Sequence, residues 1–185
     1  MALANAPFGF RPLRHLSGGQ IRSVEYPIAS AYATAIGEGD PVKLLSTGYI
    51  ALAGVTDRPL GVFVGCQYQA SDGSNVFSNY WPASAVGSNI KAMIVADPMV
   101  TFEVMSGGTP TFADVGQLAD HVAGTPSSVT GNSTAYLSSS TGTGSAQFRV
   151  LGLVDKPGNT GIYAVLEVQF QEHEFLQTVG GTPGV

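Results

Sequence analysis

Apolar residues in this chain come in short runs, and nearly every run ends at a Gly, Pro, Asn, Asp or Ser cluster. Runs of that length suit strands better than helices, so the punctuation confines the fold to strands and turns. Pro41-Val42-Lys43-Leu44-Leu45 reads as a strand, Ser46-Thr47-Gly48 as a turn and Tyr49-Ile50-Ala51-Leu52 as its return. Residues 60–64 form an apolar run short enough for a buried strand. Ser71-Asp72-Gly73-Ser74 is a hairpin signal, because Gly accepts the positive φ of tight turns. Strands follow over 89–95 and 100–104 around Asp97-Pro98, then over 147–151 and 164–170, the last with clean alternation. Imperfect alternation around Phe102 to Met105 predicts strands buried on both faces. Tyr136-Leu137 and Phe148 predict further strands within a stretch, 124–146, that is mostly Gly, Ser and Thr. Short strands at regular spacing predict an all-β fold, a small β-barrel or β-sandwich of jelly-roll or β-tulip type.

One segment departs from this pattern. Residues 113–123 place Val115, Leu118, Ala119 and Val122 at helical spacing, which predicts one short helix ended by Gly124 and Pro126 and weakened by Gly116. The expected organisation is an extended N-terminal arm over 1–24, a β-rich domain over 25–175 and a flexible tail over 176–185. The domain divides into two subdomains at about 25–97 and 98–175. Pro7, Gly9, Pro12 and Gly18-Gly19 keep the arm extended. A faint echo links the two halves: Asp40-Pro41-Val42-Lys43 before Leu60-Gly61, and Ser133-Thr134-Ala135-Tyr136 before Leu151-Gly152.

Charge narrows the function. Only 11% of the 185 residues are charged, against about 25% in an average soluble domain. The surface must therefore be rich in hydroxyls, a composition that favours a chain packed against partners. No acid precedes Glu25, while Arg11, Arg14 and Arg22 give the first 24 residues a charge of +3; the remainder carries −8. A basic arm on an acidic body is suited to an acidic partner groove, and three arginines without a dense run do not predict nucleic-acid binding. The arm also carries Phe8, Phe10, Leu13, Leu16 and Ile21, expected to bury either on its own domain or on a neighbouring subunit. No apolar run reaches the length of about 18 residues that a membrane helix needs, and the start has no signal-peptide pattern. The single cysteine, Cys66, fits synthesis in a reducing cytoplasm.

No catalytic pattern stands out. His15, His121 and His173 show no metal-ligand spacing, Gly107-Gly108-Thr109-Pro110 lacks the Lys of a phosphate loop, and no GxSxG elbow occurs. The expectation is no enzyme, no cofactor and no metal site. His121 is expected to face solvent and Cys66 to be a buried small hydrophobe. The acids beside His173 in Glu172-His173-Glu174 are expected to raise its pKa at a solvated strand end. Tyr80-Trp81 before Pro82 is a stiff aromatic turn: an interface anchor, a sugar-stacking platform or a plug in the core.

The segments Ala6-Pro7-Phe8-Gly9-Phe10-Arg11-Pro12, Arg14-His15, Gly39-Asp40-Pro41-Val42-Lys43, Leu60-Gly61-Val62-Phe63, Tyr80-Trp81-Pro82, Asp114-Val115-Gly116 and Glu172-His173-Glu174 together resemble the capsid decoration, or cement, proteins of tailed bacteriophages. The resemblance spans almost the whole chain. It implies a homo-oligomer, trimer ahead of dimer, on the virion exterior, made in the host cytoplasm and bound to the major capsid protein. No direct nucleic-acid or membrane contact is implied. Phe8, Phe10, Arg11, Arg14, His15, Arg22, Tyr80 and Trp81 are the expected partner-binding residues. A tail or connector protein and a carbohydrate-binding module are the alternative readings.

Overall fold

The computed structural model describes residues 4–142 and 144–176. Its first half runs β1 (Arg11–His15), β2 (Val24–Tyr26), β3 (Ile36–Gly37), β4 (Pro41–Leu44), β5 (Ile50–Leu52), β6 (Gly61–Ala70), β7 (Asn75–Ser78), β8 (Tyr80–Trp81) and β9 (Gly87–Val95). The second half holds β10 (Val100–Met105), a single 3-10 turn at Phe112–Asp114, β11 (Leu118–Ala119), β12 (His121–Val122), β13 (Tyr136–Leu137), β14 (Phe148–Leu153) and β15 (Val165–Phe170). The fold is all-β, as the turn spacing predicts.

Two antiparallel sheets dominate. One has the order β1-β10-β15-β14-β11; the other has β2-β9-β6-β4-β5, with β7 hydrogen-bonded to β6 beside that path. A single bridge, Ile28 to Ile50, brings the two ends of the larger sheet together. That contact curls the sheet without closing a barrel, so the architecture is a sandwich.

β6 explains the unbroken apolar run at its start. Val62 packs into one core cluster with Phe102, Phe148 and Phe170, whereas Phe63 and Cys66 pack into the other with Ile36, Ile50 and Trp81. Both faces of the strand are buried, and a strand buried on both faces needs no polar alternation. β15, one face of which is less covered, keeps its alternation from Leu166 to Phe170.

The helix expected over 113–123 does not form. Gly116 sits at φ +87°, outside the range a helix tolerates. Asp114 holds the preceding turn instead, accepting hydrogen bonds from the Thr111 amide (2.6 Å) and from Thr141 Oγ1 (2.7 Å). Leu118 and Ala119 then pair with Arg149 and Phe148, and His121 and Val122 pair with Leu137 and Tyr136. Apolar residues at helical spacing were here two short strands joined at Asp120. The sequence echo between the halves has no counterpart in pairing either: β4 pairs with β6, whereas β13 pairs with β12.

The first strand also changes the meaning of the arm. Residues 11–15 are extended, as Pro12 requires, but they form an edge strand on β10, with a bulge between Pro12 and Arg14. An edge position tolerates Pro because its missing N–H faces outward. Phe10, just before it, is fully buried and stacks on Phe148 with ring centroids 4.5 Å apart. Phe10 therefore buries on its own domain. Deleting 1–24 would remove a sheet edge and a core aromatic together. Phe10→Ala is expected to lower the unfolding free energy by about 3–5 kcal/mol, measured by urea denaturation; a loss below about 1 kcal/mol would place Phe10 outside the core.

Candidate interaction surface

The N-terminal segment is positioned by a knot of backbone contacts. The Gly9 amide donates to Ala135 O (3.1 Å) and the Phe10 amide to Gly39 O (2.9 Å), while the Gly39 amide donates to Phe63 O (2.8 Å). Gly9 adopts φ +77°, and a Cβ there would lie 2.8 Å from Ser133 Cβ and 2.9 Å from Gly39 O. Only glycine fits. Under this crossing lies Asp40, almost fully buried. Its carboxylate accepts a hydrogen bond from the Gly37 amide (2.8 Å) and another from the Ser133 hydroxyl, which in turn accepts from the Ala135 amide (2.9 Å). Burial pushes the Asp40 carboxyl up to about 6, against the downward pull of those two hydrogen bonds.

From this knot β1 emerges along the sheet edge, and the chain stays exposed from Leu16 to Glu25. Leu13, Leu16, Ile21 and Val24 are exposed apolar side chains along it. Arg11 lies 4.5 Å above the Phe8 ring and Arg22 is exposed; neither has an ion pair among the described residues. Arg14 is held in a two-pronged pair with Glu167, Nε to Oε1 at 2.7 Å and Nη2 to Oε2 at 3.0 Å; that hydrogen bond raises the Arg14 pKa. His15 Nε2 meets Asp97 Oδ2 at 3.0 Å. The Met99 amide (2.8 Å) and then His15 hold the Asp97 carboxyl below its ordinary range. The result is a cation–apolar strip: Arg11, Leu13, Leu16, Ile21, Arg22 and Val24.

The structure brings together Phe8, Arg11, Arg14, His15 and Arg22 along this strip, and separates the other three expected site residues from it. Phe10 is in the core. Trp81 is fully buried in the other cluster, meeting Tyr68 edge-on at 5.1 Å. Tyr80 is half-buried beside it and pairs with Gly37. An inward Trp81 cannot stack on a sugar, so the aromatic platform behind the carbohydrate-binding reading is absent at this turn. Aromatics that do face outward lie elsewhere, among them Phe112, 87% exposed, and Phe77, 74% exposed on β7, neither of which the sequence pattern singled out.

Two histidine expectations are corrected. His121 is fully buried, Nδ1 hydrogen-bonded with Gln147 Oε1 (2.6 Å) and Nε2 with Ala53 O (3.1 Å). His173 is also buried, its ring against Phe170 and Phe175, and burial lowers its pKa rather than neighbouring acids raising it. Cys66 is buried with its Sγ 3.6 Å from Tyr80 O, and burial pushes the thiol up to about 11. Among the described residues no group of three or more His, Cys, Asp or Glu is placed to hold a metal ion. No helix of the structure is long and apolar enough to cross a membrane. No family model matches the chain, and neither a curated protein nor a solved structure matches it.

Asp40 makes stability depend on pH in an unusual direction. A carboxyl whose pKa rises on folding, from 3.8 to about 6, binds its proton more tightly in the folded state. Its contribution is therefore present below about pH 4 and lost as pH rises through 6. At 1.36 kcal/mol per pH unit the full difference is about 3 kcal/mol. The stability of the natural protein relative to Asp40→Asn is expected to fall by about 2–3 kcal/mol from pH 4 to pH 7, read from urea denaturation of both at each pH. A difference that stays flat or rises across that range would show that Asp40 keeps an ordinary pKa.

Proposed function

We propose that the protein is a structural virion protein that binds the outer surface of a bacteriophage capsid and stabilises the shell across the seams between coat subunits. The observation that supports this reading is the strip from Arg11 to Val24. It sets four exposed apolar side chains beside two cations that have no ion pair among the described residues, on a chain otherwise poor in charge. An interface core of apolar groups with a cationic rim suits an acidic protein groove.

The mechanism is thermodynamic. A ligand that binds only the assembled shell stabilises it by mass action, and a strip crossing a seam holds two coat subunits with one contact. Leu13, Leu16, Ile21 and Val24 are each already partly covered, so completing their burial contributes about 1 kcal/mol apiece, less the ordering of the 16–25 segment. Arg11 and Arg22 steer the approach and weaken with salt. Location on the virion exterior, synthesis in the host cytoplasm and the major capsid protein as partner belong to this same proposal.

The test spares the core by altering only the exposed loop. Leu16→Asp combined with Arg22→Glu is expected to fold normally by circular dichroism yet bind shells of the accompanying coat protein about ten- to a hundredfold more weakly in co-sedimentation. Unaltered binding by the folded double variant would remove the strip from the interface, and no binding by the natural protein would remove the coat as partner.

A further inference from the structure

An exposed sheet edge presents unpaired N–H and C=O groups, and folded chains blunt such edges with charge, proline, bulges or a covering segment. The two large sheets treat their edges unequally. β1 carries Pro12, Arg11, Arg14 and a bulge. β2 carries Glu25, ion-paired with Lys91. β5 is covered at Ile50 by the bridge to Ile28, and β11 at Leu118 by the bridge to Gly142.

β7 has none of these devices. Asn75-Val76-Phe77-Ser78 contains no charge and no proline. Its four pairs with β6 run without a bulge, from Cys66 opposite Ser78 to Gln69 opposite Asn75. The other side of the strand pairs with no element among the described residues. It is also the most apolar of the bare edges, because Phe77 is 74% exposed. Asn79, directly after the strand, donates to Thr130 O (3.0 Å), which brings in the loop carrying Val129, 92% exposed.

Charge selects the occupant. Two copies meeting about a twofold axis bring identical side chains together, so an edge that pairs with itself must be nearly neutral. β7 meets that condition, whereas β1, with two arginines, suits an unlike partner. We propose that β7 is where two copies of this chain meet, Asn75–Ser78 pairing antiparallel with the same residues of the second copy across a twofold axis. The larger sheet then continues from one copy into the next, and Phe77 of each is covered. Such a contact uses up both edges and closes at two copies, rather than the three that the resemblance implies. It lies on a different sheet edge from β1 and β2, which carry the ends of the cation–apolar strip, and does not depend on the coat reading.

The experiment measures the mass of the full chain by sedimentation equilibrium across a wide range of concentration, for the natural protein and for Phe77→Lys, with amide exchange on the former. The natural protein is expected at twice 19.1 kDa, moving toward 19.1 kDa on dilution. Phe77→Lys should remain at 19.1 kDa with an unchanged circular dichroism spectrum. Outward amides of residues 75–78 should exchange more slowly as concentration rises, and those of 11–15 should not. A natural protein that stays monomeric, a threefold mass, a Phe77→Lys variant that still doubles, or concentration-dependent protection on β1 instead of β7 would each overturn the proposal. Because none of these readouts involves shells, failure of the twofold contact and failure of coat binding are seen separately.

Discussion

The fold depends on a buried carboxylate holding three distant stretches of chain together. Asp40 binds the Gly37 amide and the Ser133 hydroxyl, and over this pair passes the N-terminal segment, tied by Gly9 to Ala135 and by Phe10 to Gly39. Every partner here is a backbone group or a short side chain, so the stretches approach closely enough that Gly9 and Gly37 have no room for a Cβ. An unpaired polar group in such a place would cost far more than a hydrogen bond contributes. The network therefore specifies one arrangement of the chains more than it adds net stability. Phe10 then enters the core at a set position, and β1 leaves along a set edge.

A second polar clip lies close by, the His121 ring meeting Phe10 edge-on at 6.4 Å. Gln147 Nε2 donates to Gly54 O (2.8 Å) and Asp57 O (2.6 Å), while its Oε1 meets His121. His121 in turn reaches Ala53. The loop from Ala53 to Asp57 is thus held by residues of the second half, and Asp57 also pairs with Lys43 at 2.8 Å. The apolar clusters supply the driving force for collapse, and these two clips fix how the sheets face each other once collapsed.

Local features of this design were legible in the sequence and non-local ones were not. Strands with their own turn, such as β4 with β5 and β6 with β7, show both the apolar run and the Gly that closes it. β15 shows its half-covered face by alternation. The 113–123 segment misled because Val115, Leu118, Ala119 and Val122 fit a helical stripe as well as two tiny strands, and the deciding partners, Phe148 and Tyr136, lie far along the chain. The same distance hid the buried role of His121, whose partner is Gln147. The direction of Trp81 was set by its pairing with Ile36, again invisible locally. For the interaction surface, the acid-free first 24 residues were plain to read. That Phe10 turns inward while Leu13 and Leu16 stay out was not, since it follows from Gly9 threading past Ser133.

The distribution of partners among the cations sharpens what that surface can do. Lys43, Lys91 and Lys156 are paired with Asp57, Glu25 and Glu103. Arg149 binds Gln171 Oε1 and Gly116 O, Arg58 is engaged in an interaction of its own, and Arg14 is clamped to Glu167. Arg11 and Arg22 are left on one strip, upstream of every acid in the chain. A cation already paired contributes little field beyond its neighbour, so the positive field of the molecule is set by the cations left without an acid. The body carries an acidic excess of −8, and the strip is its positive exception. On the proposed reading, that asymmetry would orient an acidic groove before any apolar contact forms, and a chain with so little charge would still be selective about the face it uses.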